Sequence, residues 1–435
     1  MDRGAVLEQA WVWLKQGWSV SPKDLNVNTT LFRFLGSDYL RWRLSRGEDP
    51  KPPGREILML LQQAWSDKDE RLVNNGFIGI NTYIRNCGWS GQPFLEVAGE
   101  AQRFMESHPL PGAGFTKMSD AFIGFSLTAG KSALESGGDP APFLQMILSQ
   151  EDRGPTPEAG WNAFEARLLQ AEHLGLRGAY AASLLEEAEE RLLRFREITL
   201  GTQFEIRLRL LQARHGGPEA WANFEACLKR LEANPERPFA PGTDLLAEAR
   251  LCLARHLLDQ GRDAGPLLRS VREALEAEMA KRTPYKLVFT DRLAELHLLE
   301  ARSGGNASAM LRRGLQETEP ILEAAEFGEE EAAVRAQGRK SSSRRTIIIN
   351  APAPSLGRTH LLRGELFLAL AKADRPASRR WVLQAQQSFR EALRYNGNLK
   401  HLLAPLQDQA RRLPGQGKPD QAPIPVPDHR KAKLH

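Results

Sequence analysis

Between residues 157 and 325 apolar positions recur with the three-to-four-residue spacing of amphipathic helices, and glycine or proline interrupts them at intervals. The pattern predicts four helix pairs: 157–173 with 177–195, 198–215 with 218–233, 243–259 with 264–282, and 284–302 with 306–325. A fifth pair, 357–373 with 376–395, and a closing helix near 398–413 follow a gap. One string marks the first helix of each early pair. Leu168-Leu169-Gln170-Ala171-Glu172-His173 returns as Leu210-Leu211-Gln212-Ala213-Arg214-His215, then as Leu251-Cys252-Leu253-Ala254-Arg255-His256, and in worn form as Arg292-Leu293-Ala294-Glu295-Leu296-His297. The histidines step by 42, 41 and 41 residues. A helix pair of that length cannot bury its own apolar face, so successive copies are expected to stack on one another.

The N-terminal part lacks this step and is richer in Trp and Phe. It predicts helices at 1–20, from Thr29 or Thr30 to Ser45, at 55–65, 68–87 and 94–107, and then at 115–136 and 141–149. The second of these is apolar around most of its girth, which predicts burial on more than one side. A turn-rich loop is expected from Gly47 to Gly54, and the clearest linker is Pro109 to Gly114. The expected organisation is an irregular helical domain at 1–110, a helical-repeat stack at 115–325, a disordered insertion at 327–356, a last pair with its capping helix at 357–413, and a disordered tail at 414–435.

Composition fits a chain that can bury a core, with 41% hydrophobic and 26% charged residues among 435. Net charge is only +5, from 59 basic and 54 acidic residues mixed along most helices, so charge alone is no signal for nucleic acid. The three cysteines, Cys87, Cys227 and Cys252, form no metal-ligand spacing, which predicts a reducing compartment and no structural zinc. The N-terminus lacks the apolar run of a signal peptide, and no segment is long and apolar enough to span a bilayer, so a cytoplasmic protein without membrane contact is expected.

Several strings bear on chemistry. Histidine ladders suggest metal binding or pH sensing. Here each histidine falls near a helix C-terminus, where an imidazole satisfies free carbonyls, and neighbouring repeats stand too far apart for shared ligation. Gly130-Lys131-Ser132 is the most enzyme-like string. A phosphate loop needs G-x4-G-K-[ST], but position 125 is Phe125 and no βαβ alternation surrounds it. Ala121 to Leu127 and Leu287 to Asp291 are the segments that would have to be strands. Gly124-Phe125-Ser126-Leu127-Thr128 fails the nucleophile elbow at its last position. Arg33, Arg41, Arg43 and Arg46 lie among Phe, Tyr and Trp, a mixture that can hold phosphate and stack bases. No cofactor is expected.

The last pair resembles a tetratricopeptide repeat. Gly364 and Phe367 stand three apart on its first helix, as the small and aromatic residues of that family do, and Ala385, Phe389 and Ala392 match its A-x3-F-x2-A spacing. The step of 41 to 42 residues exceeds the family's consensus of about 34, which longer helices explain; HEAT-type repeats of about 40–47 residues are the rival. The resemblance implies an all-α fold, a right-handed α-α superhelix preceded by the irregular N-terminal domain. It implies a non-enzymatic scaffold holding a peptide or helix of another protein along its first helices, with Gln170, Gln212, Arg214 and Arg255 as contacts. Two alternatives remain at this stage. One is a subunit of a bacterial nucleic-acid-targeting or defence complex that touches nucleic acid through Arg33, Arg41, Arg43 and Arg46. The other is a nucleotide-binding enzyme using Lys131.

Overall fold

The computed structural model describes residues 3–21, 24–89, 93–108, 116–151, 157–179, 181–194, 201–216, 218–232, 243–280, 287–304, 306–327 and 356–413. Among the described residues the protein is all-α, with no strand. The expected linker at Pro109–Gly114, most of the expected insertion with Ser341–Ser343 and Ile347–Ile349, and the tail from Pro414 onward lie outside the described residues.

The N-terminal helices are α1 (Arg3–Val20), α2 (Leu25–Phe34), a π-helical turn (Leu35–Tyr39) that leads straight into α3 (Leu40–Ser45), α4 (Lys51–Ser66), α5 (Glu70–Trp89), α6 (Leu95–Ser107), α7 (Thr116–Glu135) and α8 (Ala141–Glu151). Helix α5 is the one expected at 68–87, and α4 starts earlier than expected. Helix α4 begins inside the expected loop, because Pro52 and Pro53 occupy its first turn, where a missing N–H costs nothing. Asp49 Oδ1 accepts from the Lys51 amide at 3.0 Å and fixes the start. Helix α5 runs unbroken through Asn74-Asn75-Gly76 and Gly79, because those glycines lie against Leu61 and Phe32 and let three helices approach closely. The apolar cluster that starts at Trp18 takes in Leu31, Phe32, Ile57, Phe77 and Tyr83, and continues through Phe125 in α7 to Met146 in α8.

The pairs follow as α9 (Pro157–Leu176) with α10 (Ala182–Arg194), α11 (Gly201–His215) with α12 (Pro218–Glu232), α13 (Thr243–Asp259) with α14 (Gly265–Ala280), and α15 (Leu287–Arg302) with α16 (Ala307–Phe327). After the undescribed segment come α17 (Leu356–Ala373), α18 (Ser378–Tyr395) and the closing α19 (Lys400–Arg412). His173, His215 and His256 fall in the last turns of first helices, whereas His297 lies more than a turn before the end of α15. Each first helix packs on the next: α9 on α11, α11 on α13, α13 on α15 and α15 on α17.

The last pair also meets the first. Leu134, Leu144, Ala166 and Leu169 share one apolar cluster with Leu362, Phe389, Leu399 and Leu403. Asn396 Nδ2 donates to the Leu134 carbonyl at 3.2 Å, and that asparagine is 1% exposed, so the hydrogen bond is sealed inside the junction. Within the last pair, a Cβ on Gly364 would overlap the ring of Phe389, which is fully buried. The absence of a side chain at Gly364 is what lets α17 and α18 come together.

Candidate binding site in the charged interior

Five first helices carry charged residues on one common side. On α9 these are Glu165 and Glu172, on α11 Arg207 and Arg214, and on α13 Glu248 and Arg255 with Cys252 between them. On α15 they are Asp291, Arg292 and Glu295, and on α17 Arg358 and Glu365. On α9, α11, α13 and α17 the two charges are seven apart, close to two helical turns, so both project from the same face; on α15 Asp291 and Glu295 are four apart, about one turn.

Those faces meet. Arg207 is ion-paired with Glu165 one repeat earlier. Arg214 Nη2 lies 3.2 Å from Glu248 Oε1 and 2.9 Å from Cys252 Sγ. The other oxygen of Glu248 accepts from Arg292 Nη2 at 2.6 Å. Arg255 Nη2 donates to Glu295 at 3.1 Å, and its Nη1 donates to Glu365 at 2.8 Å, two repeats along. Arg358 is ion-paired with Glu172, which links the last first helix to the first one. Thr359 Oγ1 donates to Asp291 Oδ1 at 3.3 Å.

The network is deep but still touches water, with 18% of the Glu248 side chain and 29% of the Arg255 side chain accessible. Burial opposes ionisation of Glu248, yet the Arg292 and Arg214 guanidiniums prevail and hold its carboxyl down to about 2. Glu172 is likewise held below the usual carboxylate range: burial opposes its ionisation, but Arg358, Arg214 and Arg207 together prevail. Asp291 has the opposite balance. Burial pushes it up to about 6, and neither neighbouring Arg292 nor the Thr359 hydroxyl compensates. Burial also raises Glu135 at the end of α7, against the pull of Lys131 and Arg358. The interior is thus a lattice of half-hydrated charge pairs with two carboxyls lacking a full counter-charge.

Of the residues expected to contact a partner, Arg214 and Arg255 belong to this lattice. Gln212 does not. Its amide bridges Arg209 Nη1 at 2.7 Å and Glu189 Oε2 at 3.0 Å, which places it between α10 and α11. Gln170 is half-buried on α9. Glu172, Glu248, Arg292, Glu295, Arg358 and Glu365 were not among the expected contacts; the seven-residue spacing of 165/172, 248/255 and 358/365 points to four of them, while Arg292 and Glu295, three apart on α15, carry no such mark.

The recurring histidines occupy equivalent places but have different neighbours. His173 Nε2 lies 3.8 Å from Asp139, and its Nδ1 is 3.5 Å from Asn398 Nδ2. The His215 ring fills the space that a side chain at Gly175 would need. His256 stacks on Trp221 with centroids 4.1 Å apart and planes 7° from parallel. His297 Nδ1 is 3.6 Å from Glu300. Burial lowers the pKa of His173, His215 and His256, so these rings sit neutral in the core margin. Among the described residues no group of three or more His, Cys, Asp or Glu side chains is placed to hold a metal ion.

The basic–aromatic helix is largely occupied with its own partners. Arg41 Nη2 donates to Asn86 Oδ1 at 3.2 Å, and Asn86 Nδ2 donates to the Gly36 carbonyl inside the π turn. Arg43 and Arg46 both pair with Glu48, at 3.2 and 2.6 Å. They also lie over the rings of Tyr39 and Trp42. Arg33 is exposed. Lys131 is exposed on α7, and the whole stretch from Gly124 to Ser132 is continuous helix. Its amides are spent in the helical ladder, and the segment from Leu287 that could have served as the acid-bearing strand is the start of α15. Compared with known proteins, the chain matches no family model, and no similar curated protein or solved structure is found.

Proposed function

We propose that the protein is a non-enzymatic scaffold or adaptor, a tetratricopeptide-like stack whose pairs wind as a right-handed superhelix and hold a segment of a partner protein along the charged faces of the first helices. The observation behind this reading is the lattice itself. Half-exposed ion pairs contribute little net stability, so they are not needed to hold the stack together. They are, however, exchangeable. A partner carboxylate can replace Glu365 on Arg255, or a partner guanidinium can take Glu248 from Arg214, at small net cost, and the order of charges along the helices then selects the partner. Asp291 and Glu135, short of counter-charge, favour a segment that brings a cation between α7, α15 and α17.

The test is capture of partners from the native host with the wild-type chain and with Arg214→Glu and Arg255→Glu variants whose helical content is unchanged. Loss of a captured protein in both variants is the expected result. Equal capture by all three forms would overturn the reading.

A further inference from the structure

Among the described residues, uncompensated basic charge gathers at the C-terminal hairpin, on the side away from the charged interior. Between Leu356 and Leu413 there are eleven Lys and Arg residues against four Asp and Glu, a net of +7, while the whole chain carries only +5. The distribution on the two sides of the hairpin sharpens the contrast. Glu365 faces inward on Arg255, and Arg358 and Arg363 are taken by Glu172 and Glu319. Lys372, Arg375, Arg379, Arg380 and Arg390 are exposed. The acids that remain on that side are few: Asp374 near Trp381 and Glu391 beside Arg394.

The bases converge on one aromatic. Arg380 and Arg312, the latter from α16, lie 5.3 and 5.9 Å from the centroid of the Trp381 ring. Trp381 Nε1 donates to Asp374 Oδ2 at 3.3 Å, and Arg312 reaches the same oxygen at 3.4 Å. One carboxylate therefore anchors the ring and a single guanidinium, and Glu391 pairs with Arg394, leaving Lys372, Arg375, Arg379, Arg380 and Arg390 to solvent. Along α18, Arg379, Arg390 and Arg394 recur at 11 and 4 residues, which keeps them near one helix face over roughly 20 Å.

We propose that this face of the α17–α18 hairpin, with Arg312 and Arg313 of α16, binds the phosphate backbone of a nucleic acid. A row of guanidiniums over that length matches a run of phosphodiesters, since each planar fork can take two phosphate oxygens. Binding of this kind carries no base readout, because the phosphates are sequence-independent. The site is separate from the charged interior and does not depend on the scaffold reading.

The experiment is fluorescence anisotropy of the full chain with a labelled 20-base-pair DNA duplex at 50 and 200 mM salt. Four phosphate contacts predict about a hundredfold weaker binding at the higher salt. The triple variant Arg375→Glu, Arg379→Glu, Arg380→Glu is expected to lose at least about thirtyfold at 50 mM salt, with its melting temperature unchanged, since the removed contacts are phosphate neutralisations. Arg41→Glu with Arg43→Glu is expected to bind like wild type. No binding at 50 mM salt, full binding by the triple variant, or displacement of the duplex by poly-glutamate at equal charge concentration would each overturn the proposal.

Discussion

Arg358, in the first helix of the last pair, is ion-paired with Glu172, in the first helix of the first pair, 186 positions earlier in the chain. The contact ties two ends of a stack that sequence proximity would never bring together. Because 38% of the Arg358 side chain reaches water, its worth is discounted well below that of a sealed pair. Arg358→Glu is expected to cost about 1–2 kcal/mol, with Glu172→Arg alone similar. The swapped double variant should recover about half of the summed loss. Urea denaturation of the four forms measures this, and strictly additive losses would show that the two residues do not interact.

The Gly364–Phe389 contact carries more. Gly364→Val drives two methyl groups into a ring with no free volume, and about 2–3 kcal/mol of destabilisation is expected. Phe389→Ala removes the ring and leaves a cavity, at about 3–5 kcal/mol. Together they should cost distinctly less than the sum, because valine then occupies space the ring has vacated. Thermal unfolding of the single and double variants decides it.

Asp291 makes folding pH-dependent with a definite sign. Its folded pKa, near 6, lies above the 3.8 of a free aspartate, so its unfavourable contribution is absent below about pH 4 and grows as pH rises through 6. Asp291→Asn should therefore be more stable than wild type at pH 7.5, by at most about 3 kcal/mol, and the advantage should vanish by pH 4. The absolute profile will not show this cleanly. Burial, aided by Arg363 and Arg394, pushes His360 down to about 4, so that ring withdraws stability as pH falls from about 6.5. Only the difference between wild type and variant isolates the aspartate. A difference independent of pH would mean that Asp291 ionises normally.

The helices were legible because their signal is local. Each helix announces itself by period and by the glycine after it, and the strings ending in His173, His215 and His256 mark helix ends, while the worn copy ending in His297 stops more than a turn before Arg302. Helix α4 starts four residues before the expected 55, since Pro52 and Pro53 look like a break until they are placed in a first turn. The interior was harder to see. Arg214 and Arg255 stood out as polar residues late in first helices, but Glu248, Arg292 and Glu365 look like any solvated helix charge until the helices are packed. Which face of α13 meets which face of α17 is a non-local fact, set by the meeting of the last pair with the first. Gln212 shows the same limit from the other side: two residues away from Arg214 in a helix is a turn of about 200°, and that angle sends it toward Glu189 instead of the interior.

Cys252 offers a direct measure of whether the charged interior admits anything from outside. It is the half-buried cysteine among the three, and its thiol rests on Arg214 between Glu248 and Arg255. Cys87 and Cys227 are buried, with thiols pushed up to about 12 and about 11 by burial. Burial raises Cys252 too, with Glu295 and Glu248 adding to it and Arg214 opposing, so it should react slowly compared with a free thiol. At pH 8 a small maleimide is expected to label one cysteine in the folded protein, and mass spectrometry should place it at Cys252; all three should label in denaturant. A partner segment lying along α11, α13 and α15 would protect that thiol. If Cys252 stays unlabelled while the protein is folded and free, the interior is closed even to a small reagent, and no peptide could enter it without the stack first opening at Arg358 and Glu172.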